Sequence, residues 1–355
     1  MNRRTVKTIF VLFISFFLGA TTIQGQTASS IPRISYIDAH NHLSGGSAHQ
    51  SDFSSAAIIA LREMDHLGIG RIIIMPPPFS FGHRGRFEVH ALIPLKEKYP
   101  DRIAVLGGGG SLNIMIHQTP NPAQVTPELK TEFKKTAEDL LAIGAIGFGE
   151  LAVDHFSFAF DHPYESVPAD HPLLLLLAEI GASHNVPIDI HMEVIPTDMP
   201  LPDRRILQRS GNNPKMLKEN LSAFERLLAH NPKARIIWAH VGWCNTGFRT
   251  PDLCRRLLSK HPNLYMSFKL SPESVPETRP IGEDKKSLKP EWLQLLKDFP
   301  DRFIIGTDQF YVPPGSRSIG PQKTEATKLF MTLLPPDLAR QIGQENPSRI
   351  FNLKN

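Results

Sequence analysis

One pattern limits the fold of this 355-residue chain more than any other: a strand-like run followed by a helix-like run, repeated eight times. The apolar runs Ile34–His40, Arg71–Met75, Arg102–Leu106, Ala145–Glu150, Pro187–His191, Arg235–His240, Asn263–Lys269 and Arg302–Asp308 read as strands. Several, such as Ile72-Ile73-Ile74, are apolar without a break, as expected of strands covered on both faces. Amphipathic stretches lie between them: Ser54–Leu67, Glu88–Lys98, Pro127–Ile143, Pro172–His184, Pro214–His230, Asp252–Lys260, Pro290–Lys297 and Thr324–Leu334. Pro127, Pro172 and Pro290 suit first helical positions, where a missing N–H costs nothing, and Gly68 and Gly144 suit helix stops. Parallel strands joined by helical crossovers, eight times over, close into a single-domain (β/α)8 TIM barrel. An open doubly wound sheet is the alternative. It does not explain why residues of one chemical type end strands in both halves of the chain.

Those residues are the functional signal. Successive strand side chains alternate faces, so His40 and His42 of Asp38-Ala39-His40-Asn41-His42 point the same way and form half a metal site. The fourth run ends in Glu150, the fifth in His191, the sixth in His240 and the eighth in Asp308. Barrel enzymes take their catalytic groups from the C-terminal ends of several strands. The segments after the strands are also long and rich in Pro and Gly, whereas the turns before them are short, so one rim carries the function. Gly107–Gly110 lacks a following Lys-Ser/Thr and reads as a loop, not a P-loop.

With these motifs the chain resembles the amidohydrolase superfamily of metal-dependent barrels. It is most similar to the compact branch without a flanking β-sandwich, the aminocarboxymuconate-semialdehyde-decarboxylase-like group. Ile190-His191, Ala239-His240-Val241-Gly242, Gly306-Thr307-Asp308 and the closing Glu345–Phe351 segment extend the likeness across the chain. The resemblance implies that His40, His42, His191 and Asp308 ligate a divalent metal, zinc by the chemistry of the donors. It implies that Asp308 acts as general base on a metal-activated water and that His240 polarises or orients the substrate. The lysine that many two-metal members carry on the fourth strand is absent from Ala145–Glu150. Glu150 therefore either bridges two metals, with His191 and His240 on the second, or braces a ligand or substrate beside a single ion. One metal is the expectation, because the compact branch is mostly mononuclear.

Substrate contacts are less defined. Lys269 ends the seventh run and can hold a carboxylate or phosphate, Trp243 can wall the pocket, and His155 lies five residues past Glu150. Arg204, Arg205 and Arg249 read as surface charge on rim loops. His66, His184, His230 and His261 read as helix-end residues that favour the dipole, and His83, His90, His117, His162 and His171 as loop residues. Cys244 and Cys254 are the only cysteines, and spacing does not decide whether they pair.

The first residues read as an export signal, 1–26, ahead of a barrel domain over 31–355. Arg3, Arg4 and Lys7 precede a twelve-residue apolar stretch, Ile9–Ala20, shorter than the ~20 residues that span a bilayer. The expected location is periplasmic or secreted, without stable membrane association. Without those three cations, 39 basic against 35 acidic residues becomes 36 against 35, so the charge offers nothing to nucleic acid. A small-molecule substrate is expected, and a homodimer is open. The function expected is hydrolysis of an amide, lactone or ester. The alternative is non-oxidative decarboxylation of an aromatic or unsaturated acid on the same ligands, and a barrel kept only for binding is a third reading.

Overall fold

Eight strands carry the buried apolar runs: β1 Tyr36–Leu43, β2 Ile69–Ile74, β3 in two pieces (Ile103–Val105 and Gly107–Gly108), β4 Phe148–His155, β5 Pro187–Met192, β6 Arg235–Val241, β7 Leu264–Phe268 and β8 Phe303–Ile305. They belong to a computed structural model that describes residues 35–45, 51–159, 162–271, 274–316 and 323–353, all within the unit Ile34–Asn355. The signal expected over 1–26 lies outside the described residues. Among those described, no helix is long and apolar enough to cross a membrane.

Every neighbouring pair is parallel, from β1 with β2 round to β8 with β1. β3 closes the ring, because Ile103–Val105 pairs with β2 while Gly107–Gly108 pairs with β4. The fold is therefore the (β/α)8 barrel that the alternation implies. Strand periodicity divides the core in two. Ile72, Ile74, Ile236, Trp238, Phe303 and Ile305 face the helices, while Ile73, Ala104, Ile237, Tyr265 and Ile304 fill the interior, joined by Ile350 and Phe351 of the closing segment.

The helix signals work as local chemistry predicts. Asp52 caps Phe53–Leu67 by accepting from Ser55 N at 2.9 Å, and Gly68 ends it at φ 79°, a left-handed turn that glycine adopts freely. Pro127, Pro172 and Pro290 each open their helix. Three expectations are corrected. Glu88–Lys98 is a 3-10 turn, Val89–Ala91, followed by a short helix, Ile93–Lys98. Pro214–His230 is helical only from Leu221, because Met216–Leu217 pairs with Met199–Pro200 as a small antiparallel ladder. The segment read as a loop after β3 contains the helix Leu112–Gln118, which takes in His117.

The Gly107–Gly110 run does cradle an anion, but one from the chain itself. Glu88 accepts from Gly108 N at 3.0 Å, Gly110 N at 3.1 Å, Ser111 Oγ at 2.6 Å and Val89 N at 2.6 Å. A Cβ on Gly110 would stand 1.9 Å from Phe87 O, so only glycine lets the chain pass there.

Candidate metal centre

The strand ends aim six side chains at one point above the barrel interior, and irregular pairing lets them do so. The register shifts between Asp38 and Asn41, between Phe148 and Leu151, and between Trp238 and Val241. His40, Glu150 and His240 sit at these irregularities, which is how a bulge re-aims a side chain. His240 at φ 70° and Asp308 at φ 53° adopt left-handed backbone that ordinary residues avoid. β4 continues to His155, so Glu150 is its third residue and not its end. β8 ends at Ile305, so Asp308 follows it in the link to Gln309–Tyr311.

Glu150 is the hub. Its Oε2 lies 3.4 Å from His40 Nε2 and 3.2 Å from His42 Nε2. Its Oε1 lies 2.8 Å from His191 Nδ1 and 3.0 Å from His240 Nε2. Asp308 Oδ1 stands 3.3 Å from His42 Nε2. All six side chains are buried, with Asp308 the most exposed at 8%.

The donor set fits a divalent cation. Donors around one zinc, at metal–nitrogen distances near 2.05 Å in a tetrahedron, stand about 3.3 Å apart, close to the spacing seen here. His40 Nε2 and His42 Nε2 are buried without a hydrogen-bond partner, a cost that a bound cation removes. The far side of the His42 ring is anchored by a hydrogen bond, and that of His40 by proximity to a carboxylate. His42 Nδ1 donates to Met75 O at 2.9 Å, and His40 Nδ1 faces Asp189 Oδ1 at 3.1 Å. Anchoring of this kind fixes the tautomer and turns the free nitrogen to the centre.

The electrostatics are those of a crowded ionic cluster. Burial pushes the Asp308 carboxyl up, but Lys269 and Lys323 outweigh it and hold it well below the usual carboxylate range. Lys269 Nζ is 2.5 Å from Asp308 Oδ2 and lies 3.8 Å from the Trp243 ring centroid. Lys323 Nζ lies 3.4 Å from the same Oδ2 and also donates to Asp308 O. Burial likewise raises Glu150, but the surrounding histidines hold it well below its ordinary value. Burial, with the Lys269 charge, keeps His240 neutral.

The structure brings the candidate site residues together. His40, His42, Glu150, His191, His240 and Asp308 converge. Lys269 and Trp243 border them, and the His155 ring lies 4.4 Å from that of His191. The surface reading of Arg249 is corrected: it is 1% exposed, donates to Ala239 O at 2.5 Å and to Met192 O, and stacks 4.3 Å over Trp238. Arg204 is also no free surface charge, since it reaches Asn245 O at 3.1 Å, while Arg205 is exposed as expected. His117 is anchored too, with Nε2 2.8 Å from Ala152 O. Cys244 and Cys254 are buried free thiols.

Two residues of the centre, Asp189 and Lys323, escaped the sequence reading, and Asp38 was quoted in its motif without a role. Asp189 stands two positions before His191, so the alternation that pairs His40 with His42 also points to it. Asp38 precedes His40 in the same way and receives Thr307 N at 2.9 Å and Thr307 Oγ1 at 2.6 Å. Lys323 carries no local signal.

The amidohydrolase family model matches residues 119–353. No curated protein matches the chain. Similar solved structures include a lactonase template engineered for organophosphate hydrolysis (15% identity, TM-score 0.51, 89% of this chain and 95% of that one). The dihydroorotase of Campylobacter jejuni is also similar (15%, 0.50, 90% and 84%). So is a 2,6-dihydroxybenzoate decarboxylase bound to 2,6-dihydroxybenzoate (16%, 0.47, 90% and 99%).

Proposed function

This chain belongs to the amidohydrolase family, and on that premise we propose that it is a two-metal hydrolase cleaving a C–N or C–O bond in a small amide, lactone or ester. One observation favours two ions over the single ion expected from the sequence: the Glu150 oxygens are divided, Oε2 toward His40 and His42 and Oε1 toward His191 and His240. A carboxylate shared this way suits a bridge. His40, His42 and Asp308 would complete one site, and His191 and His240 the other. Nitrogen donors with carboxylates suit zinc. A bound ion of this type supplies an acidified water near neutral pH.

The chain's own groups do the rest. Asp308 is held ionised by two lysines, so it is placed to accept a proton and pass it to the leaving group. Lys269, between Asp308 and the Trp243 ring, presents a cation at the rim, and the His240 ring lies 6.1 Å from that same Trp243 ring. Asp189 fixes the His40 ring from behind.

The Lys269 ammonium at the rim beside Asp308 also suits a substrate that carries a carboxylate, which keeps decarboxylation of an aromatic or unsaturated acid as the second reading. The experiment is elemental analysis of the purified protein beside Glu150→Gln, with both assayed on lactones, amides, esters and aromatic acids. Two ions per chain, falling toward one in the variant, with turnover of a lactone, amide or ester, is the expected result. A single ion unchanged by Glu150→Gln removes the bridge. Carbon dioxide release from an aromatic acid, with no hydrolysis of the other substrates, selects the second reading.

A further inference from the structure

Beyond the six converging ligands lies a second cluster of metal-type side chains. His155, His162 and Glu165 each place one donor atom within 4.8 Å of the others. His155 ends β4, and the other two come from the segment between it and the helix Pro172–Ser183. The backbone preorganises them. β4 turns back on Glu165–Ser166, with His155 directly opposite Glu165 in the antiparallel ladder, so their side chains emerge as neighbours. His162 enters from the intervening loop, its ring 4.9 Å from that of His155.

Two of these donors are in a costly position. His155 Nδ1 and Glu165 Oε2 are buried without a hydrogen-bond partner, and Glu165 is 3% exposed. The other oxygen of Glu165 has only a long contact from Asn113 Nδ2, at 3.5 Å. Leaving a buried donor or acceptor unsatisfied costs about 1–3 kcal/mol, so a structure rarely gathers such atoms unless something sits between them. Two imidazoles and one carboxylate with an open fourth side is a common zinc donor set.

We propose that His155, His162 and Glu165 form a further divalent-metal site, distinct from the Glu150 centre and suited to zinc. The two sites share no ligand. They adjoin where the His155 and His191 rings pack at 4.4 Å. An ion here ties the loop carrying His162 to the end of β4, at the rim beside the main centre. The proposal does not depend on whether that centre holds one ion or two.

The test is equilibrium dialysis of the metal-stripped full chain against zinc, for the wild type, Glu165→Gln, His162→Asn and Glu150→Gln. Glu165→Gln and His162→Asn should each bind one equivalent fewer than the wild type, with the far-ultraviolet circular dichroism unchanged. Glu150→Gln should keep this equivalent whatever it loses elsewhere, so failure of the bridge and failure of this site show in different variants. Anomalous scattering from zinc-soaked wild-type crystals gives the second measurement, with a peak expected among the three side chains. Undiminished zinc binding by both Glu165→Gln and His162→Asn would overturn the proposal, as would a water peak in place of an anomalous one.

Discussion

Replacing Arg249 with Met tests how the ends of β5 and β6 are held together. The guanidinium donates to Met192 O at the end of β5 and to Ala239 O in β6, each next to a ligand histidine, and lies 4.3 Å over the Trp238 ring. Met keeps most of the stem packing and removes the charge. Two charge-assisted hydrogen bonds at about 1.5–3 kcal/mol each, plus about 2 kcal/mol for a desolvated cation–π contact, set a gross loss near 5–8 kcal/mol. Two effects offset it. The variant no longer has to desolvate a buried cation, an effect of several kcal/mol. Met192 O also keeps its bond from Trp238 Nε1 at 3.0 Å, so one of the two carbonyls remains partnered. The net destabilisation expected is about 2–4 kcal/mol. Urea unfolding of metal-loaded protein reads it as a lower midpoint with an unchanged slope. Metal affinity should fall at least about tenfold, since His191 and His240 lose their shared anchor. Arg205→Met, on the same rim but exposed, should stay within about 0.5 kcal/mol of wild type. If Arg249→Met costs less than about 1 kcal/mol and leaves metal binding alone, the anchoring argument is wrong.

Burial raises the Asp154 carboxyl to about 8, so between about pH 4 and that value the folded chain keeps a proton that the unfolded chain has released. Stability then falls as pH rises through this window, by up to about 1.4 kcal/mol per pH unit, and denaturation midpoints of Asp154→Asn should lack that component. Glu88→Gln weakens a carboxylate with four donors and should cost about 2–3 kcal/mol in urea unfolding, with little effect on metal content. Lys323→Gln removes the buried cation behind Asp308, and kcat should drop about 10–100-fold with the secondary structure intact. Unchanged turnover there would detach Lys323 from the centre.

The barrel was legible because burial on both faces writes itself as unbroken apolar runs, and the ligands because strands alternate with a period of two. His40 and His42 follow from that rule, and it reaches Asp189 and Asp38 once applied outward from His191 and His40. The end of β4 was misjudged because a charged residue in an apolar run looks like a boundary. Glu150 is buried among histidines, and Leu151-Ala152-Val153 carries the strand on. Arg249 and Lys323 were not legible. Each lies in a segment without periodicity, and burial of a cation depends on distant carbonyls and carboxylates that no local pattern encodes. The cluster of His155, His162 and Glu165 was missed for a related reason: its members are gathered by a hairpin whose second strand is only two residues long.

Asp38 is wholly buried on the first strand, and its side-chain partner, Thr307, stands 269 positions later. A chain still emerging from the ribosome therefore holds a first-strand carboxylate whose two bonds from Thr307 wait until the last barrel strand is made. Docking of β1 against β8 becomes the step that completes the barrel, and the same step delivers Asp308 to His42. Two fragments cut between Glu150 and His191 would each lack one side of this seam and three of the six ligands. Metal uptake on mixing them would then report directly that the barrel had closed.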